Sequence, residues 1–269
     1  MYGVEGIRTV KFNEVSRRVR DVPFIDPANA EWVYNLILRE RLADVLELGV
    51  GHGTATCYLA AAIDELQIGS VTAVDLTGSE TWFKPAPEEQ LAKAGLSTRV
   101  VIRRMESGYN WFLHDEIARL TVDGVCIPHY DLCIIDGPKN WTIDGCAFFL
   151  VDKILKPGGW VIFDDYSWTY ADAGRSRDST DGVNHRTLSE SERNTPHVAE
   201  IFELLVKQHP DYSDFITFPD TDWAAARKLP GSREKTYTLA YHEARPAGVL
   251  NSVVRGARRF GRLIRGRNR

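Results

Sequence analysis

The chain has 269 residues, 43% hydrophobic and 26% charged, with a formal net charge of −4, a composition that fits a soluble globular protein of one large domain, or one domain with an appendage. The charge is unevenly spread: eight arginines (Arg245, Arg255, Arg258, Arg259, Arg262, Arg265, Arg267, Arg269) face no lysine or acid beyond residue 244, so the body alone stands at −12. An acidic body is a poor platform for phosphate backbones, which argues against nucleic acid as a partner.

Met1 to Arg20 is polar and lacks an apolar signal region, and no apolar run approaches the roughly 18–20 residues that span a bilayer. The four cysteines (Cys57, Cys126, Cys133, Cys146) show no CxxC spacing, so reduced thiols in a cytoplasmic protein are expected rather than a zinc site or disulfides. Residues 1–25 carry no strong pattern and read as a lead-in segment. Asp26-Pro27 is a helix start, cap followed by proline at the first helical position, for a helix reaching about residue 40. A buried strand over 44–48 runs into Gly49-Val50-Gly51-His52-Gly53 and a helix over 54–66. A second strand, 70–74, ends on Asp75; a third, 97–102, leads to Met105-Glu106-Ser107. A helix over 109–120 precedes the apolar run that stops at Asp136. Another, 143–156, places Ile143, Ala147, Leu150 and Ile154 on one face and halts at Pro157-Gly158-Gly159. Residues 160–163 then form a strand that ends on Asp164-Asp165. Such alternation predicts an α/β fold, a mostly parallel sheet with right-handed crossovers and helices on both faces.

After Asp165 the texture changes. Residues 167–194 are rich in Ser, Asp, Arg and Gly without an apolar period and read as a lid or insertion loop. Within it, His185, Arg175 and Arg177 are expected at the surface. A helix over 196–208 follows, then two antiparallel strands, 215–218 and 236–241, either side of Pro230-Gly231. The domain is expected to run from 26 to 245. In the tail, 246–269, Leu250, Val253, Val254, Ala257, Phe260 and Ile264 fall near one helical face among arginines. That is the pattern of a basic amphipathic helix for an anionic membrane surface or a partner.

The glycine loop lies between a strand and a helix, where glycines let the backbone turn and a ligand approach a helix N-terminus. It does not fit the dinucleotide fingerprint GxGxxG, because Thr54 stands where the last glycine would be. Its pattern is Glu47-x-Gly49-x-Gly51-x-Gly53, and Asp75, ending the second strand, suits two ribose hydroxyls. Val45 to Gly53 with Asp75 resembles the nucleotide-binding half of the class I S-adenosylmethionine-dependent methyltransferases, which have a Rossmann-like fold. The resemblance covers about residues 24–163. It implies that Gly49, Gly51, Gly53 and Thr54 approach the amino-acid part of the donor and that Glu47 orients it. It also implies that Asp75 holds the ribose, that Glu106 and Ser107 lie near adenine, and that Asp136 borders the donor.

Asp136 and Asp164 are 28 residues apart, one loop, one helix and one turn, so two adjacent strand ends deliver them to one crevice. With Asp165 they are hard oxygen ligands suited to Mg²⁺, and no His/Cys cluster competes for a softer metal. The spacing resembles metal-dependent O-methyltransferases. Lys139, three residues after Asp136, matches the lysine base of the catechol type. Asp164-Asp165-Tyr166 matches the macrocin type, which acts on sugars; Pro138 stands where that type usually carries an acid, and Asp165 where the catechol type carries asparagine.

An alcohol is a weak acid, and coordination to a divalent cation lowers its pKa. Lys139 is the candidate base, given a pKa depressed towards about 7–8. Trp141, Tyr166, Trp168 and Tyr170 are candidates to stack on a substrate ring. The reading is a Mg²⁺-dependent transfer of methyl to a hydroxyl of a saccharide or glycosylated natural product. A catechol-type small-molecule acceptor is the alternative. An NAD-dependent oxidoreductase or a non-catalytic binding module on the same fold are alternatives of other classes. A homo-oligomer is compatible with the sequence.

Overall fold

A computed structural model describes residues 10–172 and 188–231. The expected strand 236–241, the amphipathic tail, and Arg175, Arg177 and His185 of the lid lie outside the described residues. The lead-in is more structured than its polarity suggests: Val10–Val19 form α1, which buries Phe12, Val15 and Val19. Four apolar residues among six polar ones hide a helical spacing that only packing reveals. Helix α2 (Pro27–Glu40) starts as expected, with the Asp26 carboxylate accepting from the Ala28 N–H at 2.7 Å.

Strand β1 (Asp44–Leu48) leads through the glycine loop to α3 (Thr54–Leu66), then β2 (Ser70–Leu76). Two short helices, α4 (Ser79–Trp82) and α5 (Pro87–Ala94), fill the connection to the third strand. That strand, β3 (Val100–Met105), begins later than expected because Ser97–Arg99 make a 3₁₀ turn. Helix α6 (Tyr109–Leu120) is followed by a small hairpin, β4 (Thr121–Val122) and β5 (Val125–Cys126), whose Asp123-Gly124 loop, with both residues at positive φ, is a hairpin signal that the reading of the sequence passed over. Then come β6 (Tyr130–Ile135), α7 (Trp141–Ile154) and β7 (Leu155–Phe163). Asn140 caps α7 two residues before the expected start, accepting from the Thr142 and Ile143 N–H groups. Pro157-Gly158-Gly159 lie inside β7 rather than ahead of it.

The end of the expected loop 167–194 is helical instead: a Ser189–Glu192 capping box starts α8 (Glu190–Asn194), and α9 (His197–Ile201) follows, continuing as π-helical turns over Phe202–Val206. The chain closes on β8 (Tyr212–Phe218) and β9 (Trp223–Lys228). The partner of β8 is therefore β9. Its Ala224-Ala225-Ala226 centre has low strand propensity; burial beside β7 selects it.

The seven-stranded sheet has the order β3-β2-β1-β6-β7-β9-β8, with β3 to β7 parallel and β9 antiparallel to both neighbours. Side chains alternate across it. Val45, Leu132, Ile134 and Ile162 pack under α1, α2 and α3, and Leu46, Leu48, Cys133, Ile135 and Phe163 pack under α6, α7 and α9. Strand order reverses at β1, the switch point where open α/β sheets bind ligands beyond the strand ends. All four cysteines are free, and no helix among the described residues is long and apolar enough to cross a membrane.

Candidate active site

The strand ends are tied together through the backbone. The Gly49 N–H donates to the Val74 carbonyl at 2.9 Å, Asp136 N–H to Leu48 at 2.8 Å, and Asp164 N–H to Ile135 at 3.2 Å. Glycine is required at position 49: φ is 96°, and a Cβ there would stand 1.9 Å from the Asp136 carbonyl oxygen. The loop after β1 is thus seated on the loop after β6, and the two halves of the site share one contact.

Glu47 shares the β1 face of Val45, beneath α3. It is 2% exposed, and the Thr56 hydroxyl donates to its Oε2 at 2.6 Å. Burial lifts its pKa from 4.5 to about 8, the Thr56 hydrogen bond opposes the rise and the Asp75 charge adds to it. A buried acid this close to a glycine loop is poised to ionise when a cation arrives. Asp75 does more than wait for a ribose: its Oδ2 accepts from the Val50 and Gly51 N–H groups at 3.1 and 3.0 Å, and its Oδ1 from Leu76 N–H at 2.7 Å. It shapes the glycine loop and lines the cavity with one acceptor position left, on Oδ1.

A cavity of about 1120 Å³ covers the strand ends. Its first half is lined by Glu47, Gly49, Gly51, Thr54, Asp75, Glu106 and Ser107, the expected donor residues. Gly53 is the exception. It begins α3, and a Cβ there would meet Pro87 at 2.5 Å, so it serves helix packing.

The second half holds Asp136, Lys139, Asp164 and Asp165. Oxygens of the three carboxylates lie within 4.8 Å of one another. Lys139 Nζ is paired with Asp136 Oδ1 and stands 3.1 Å from Asp165 Oδ2. Asp164 Oδ1 accepts from the Trp223 indole N–H at 2.6 Å and from Asp165 N–H at 2.9 Å. Lys139 and Asp165 both have left-handed backbone, φ 57° and 55°, the kind of strain that collects at functional sites. Burial raises Asp136 to about 6, although the Lys139 ammonium pulls it down. Burial also raises Asp164 well above the usual carboxylate range, with the Asp136 charge adding to it. For Lys139, burial disfavours the ammonium, but Asp136, Asp165 and Asp164 outweigh it and hold its pKa above the ordinary value. Three converging acids with one lysine among them leave negative charge to neutralise. Hard carboxylate oxygens of this kind fit Mg²⁺.

Of the aromatic substrate candidates, Trp168 lines the cavity. Tyr166 turns away, its ring against Phe202 and its hydroxyl donating to Glu203 Oε1 at 2.9 Å. Trp141 stands exposed at the start of α7, and Tyr170 donates to the Pro138 carbonyl at 2.8 Å. Sequence reasoning missed Phe24, Asn29, Trp82, Phe83, Thr221 and Asp222, which complete the wall. Only Phe24 had a local signal, an aromatic beside a proline and ahead of a helix cap. Its φ of 83° and its stack on His52 at 5.2 Å set it over the glycine loop.

Residues 46–166, from β1 to the tyrosine after the acid pair, match the family model of a methyltransferase domain. No curated protein sequence matches the chain. Among solved structures, the chain is similar to an O-methyltransferase from Bacillus cereus in complex with SAH, at 16% identity and a TM-score of 0.55, over 81% of this chain and 90% of that one. It is similar to the O-methyltransferase TomG from Streptomyces achromogenes, in complex with SAM, at 17% identity and 0.53, over 83% and 91%. The SAH-bound methyltransferase PaMTH1 from Podospora anserina gives 15% and 0.54, over 85% and 91%. These likenesses establish the fold, which is that of the class I methyltransferases.

Proposed function

We propose that the chain, whose residues 46–166 match the family model of a methyltransferase domain, transfers methyl from S-adenosylmethionine to a hydroxyl oxygen, with a divalent cation at Asp136, Asp164 and Asp165. The observation that carries this reading is the single cavity lined by the donor residues on one side and by the acid cluster and Lys139 on the other. The donor supplies an electrophilic methyl on its sulfonium. A cation held by the three carboxylates would lower the pKa of the acceptor hydroxyl.

The chain's own residues do the rest. Glu47 offers a buried carboxyl to the amino-acid end of the donor, and Asp75 presents its remaining acceptor position, on Oδ1, to the ribose. Lys139 stands at the acceptor side as an ammonium. With a divalent cation on the same carboxylates opposing its charge it would lose that support and could serve as a base, since like charge lowers a lysine pKa.

We further propose a saccharide or glycosylated natural product as acceptor. The cavity wall also holds the carboxylates of Asp26 and Asp222 and the ring of Trp168, and sugars present hydroxyl edges and apolar faces to such walls. The Asp136–Lys139 pairing favours a catechol as the second reading. The test is transfer of radiolabelled methyl to panels of saccharides and catechols, with Mg²⁺ and with EDTA. Full turnover in EDTA refutes the cation, and preference for catechols refutes the saccharide.

A further inference from the structure

The segment that carries Lys139 is held from outside by residues the reaction itself does not use. The first N–H groups of a helix have no partner within it. In α7, those of Thr142 and Ile143 go to the Asn140 side chain at 3.0 and 3.2 Å. The Trp141 N–H goes instead to Nδ1 of His197 at 3.1 Å, across 56 residues of chain. His197 is buried, 6% exposed. Since Nδ1 accepts, the ring proton sits on Nε2, which donates to the Glu192 carbonyl at 2.9 Å. On the other side of Lys139, the Pro138 carbonyl accepts from the Tyr170 hydroxyl at 2.8 Å, and the Tyr170 ring packs on His197 at 5.2 Å. The Ala171 N–H donates to the Arg193 carbonyl at 2.9 Å, joining the segment after Tyr170 to the one that leads into His197. Between these two fixed peptide groups, Lys139 adopts φ 57°, unfavourable for any residue with a Cβ.

We propose that His197 and Tyr170 are positioning residues for Lys139, clamping the backbone on both sides so that its ammonium is held between Asp136 and Asp165. The inference rests on the reading of that cluster as the acceptor half of the site. An ordinary helix cap would stabilise α7 and leave the lysine indifferent.

The two roles separate in a labelling experiment that requires no acceptor. The full-length protein is treated with trace acetic anhydride, and the rate at Lys139 is compared by mass spectrometry with that at Lys84, whose side chain is 69% exposed. Losing a cap costs enough to open a segment about fivefold more often, so His197→Leu should raise the Lys139/Lys84 ratio about fivefold. His197→Asn, whose amide oxygen can take the place of Nδ1, should restore the wild-type ratio. Tyr170→Phe deletes one neutral hydrogen bond and should raise the ratio about twofold. It carries the test if the leucine variant fails to bind S-adenosylhomocysteine and so has not folded. Faster exchange of the Trp141 amide in His197→Leu with an unchanged Lys139 ratio would reduce His197 to a cap and overturn the proposal. An unchanged ratio in both His197→Leu and Tyr170→Phe would also overturn it. A cation-independent enzyme would defeat the proposed chemistry and leave these labelling outcomes as they are.

Discussion

Replacing Glu47 by glutamine should flatten the pH dependence of stability and remove a proton release on donor binding. Burial, opposed by the Thr56 hydroxyl and reinforced by Asp75, puts the Glu47 pKa at about 8 against 4.5. An acid whose folded pKa is raised adds stability that is fully present below its unfolded value and is lost as pH rises through the folded one. At 1.36 kcal/mol per pH unit the interval corresponds to on the order of 4–5 kcal/mol, lost between about pH 4.5 and pH 8. Glu47→Gln keeps an acceptor for the Thr56 hydroxyl and cannot ionise. Urea unfolding at about pH 5 and about pH 8.5 should therefore show the wild type losing several kcal/mol more than the variant. Donor binding brings an ammonium towards Glu47 and lowers its pKa. Calorimetric titration with S-adenosylhomocysteine in buffers of different ionisation enthalpy should then show up to about one proton released near pH 7 by the wild type and none by the variant. Equal pH slopes, or equal proton release, in the two proteins would refute the assignment of a buried, protonated Glu47 at the donor site.

The other predictions concern the cavity floor. Gly49→Ala forces a Cβ to within 1.9 Å of the Asp136 carbonyl; with left-handed strain added, it should cost on the order of 3 kcal/mol in urea unfolding and abolish S-adenosylhomocysteine binding. Asp136→Asn and Asp164→Asn should each remove cation-dependent turnover while the fold survives by circular dichroism, and EDTA should mimic them in the wild type. Trp223→Phe deletes the 2.6 Å hydrogen bond to Asp164; groups that orient a ligand carboxylate are worth about tenfold or more in metal affinity, read here as weaker Mn²⁺ binding by electron paramagnetic resonance.

Much of the site was legible because its chemistry sits at strand ends. An apolar run that stops on an acid announces both a buried strand and a crevice residue, which is how Asp75, Asp136, Asp164 and Asp165 stand out, while Glu47 stands out by its spacing to the glycine loop. Regular alternation from 44 to 163 likewise fixed the parallel part of the sheet. What escaped was mostly built from weak local signals, α1 with four apolar residues among six polar ones and β9 with its alanines; the β4–β5 hairpin did carry a signal, its Asp123-Gly124 loop. The aromatic candidates show the same limit. Sequence proximity to the acid pair put Tyr166, Trp168 and Tyr170 together. Side-chain direction then sent Tyr166 to Glu203 and Tyr170 to Pro138, leaving Trp168 in the cavity.

By itself the sequence determined the strand-helix order, the glycine loop and the three carboxylates, because each depends on neighbours within a few residues. Tertiary structure decided which distant groups met them: Trp223 on Asp164, His197 on the start of α7, and the Asp136 carbonyl against Gly49. It also decided the state of the charges. Glu47 and Lys139 carry ordinary pKa values as side chains in water. Burial keeps the first protonated, and the three carboxylates around the second outweigh its burial and keep it charged. No local pattern encodes that balance, since it depends on desolvation and on charges brought from other strands.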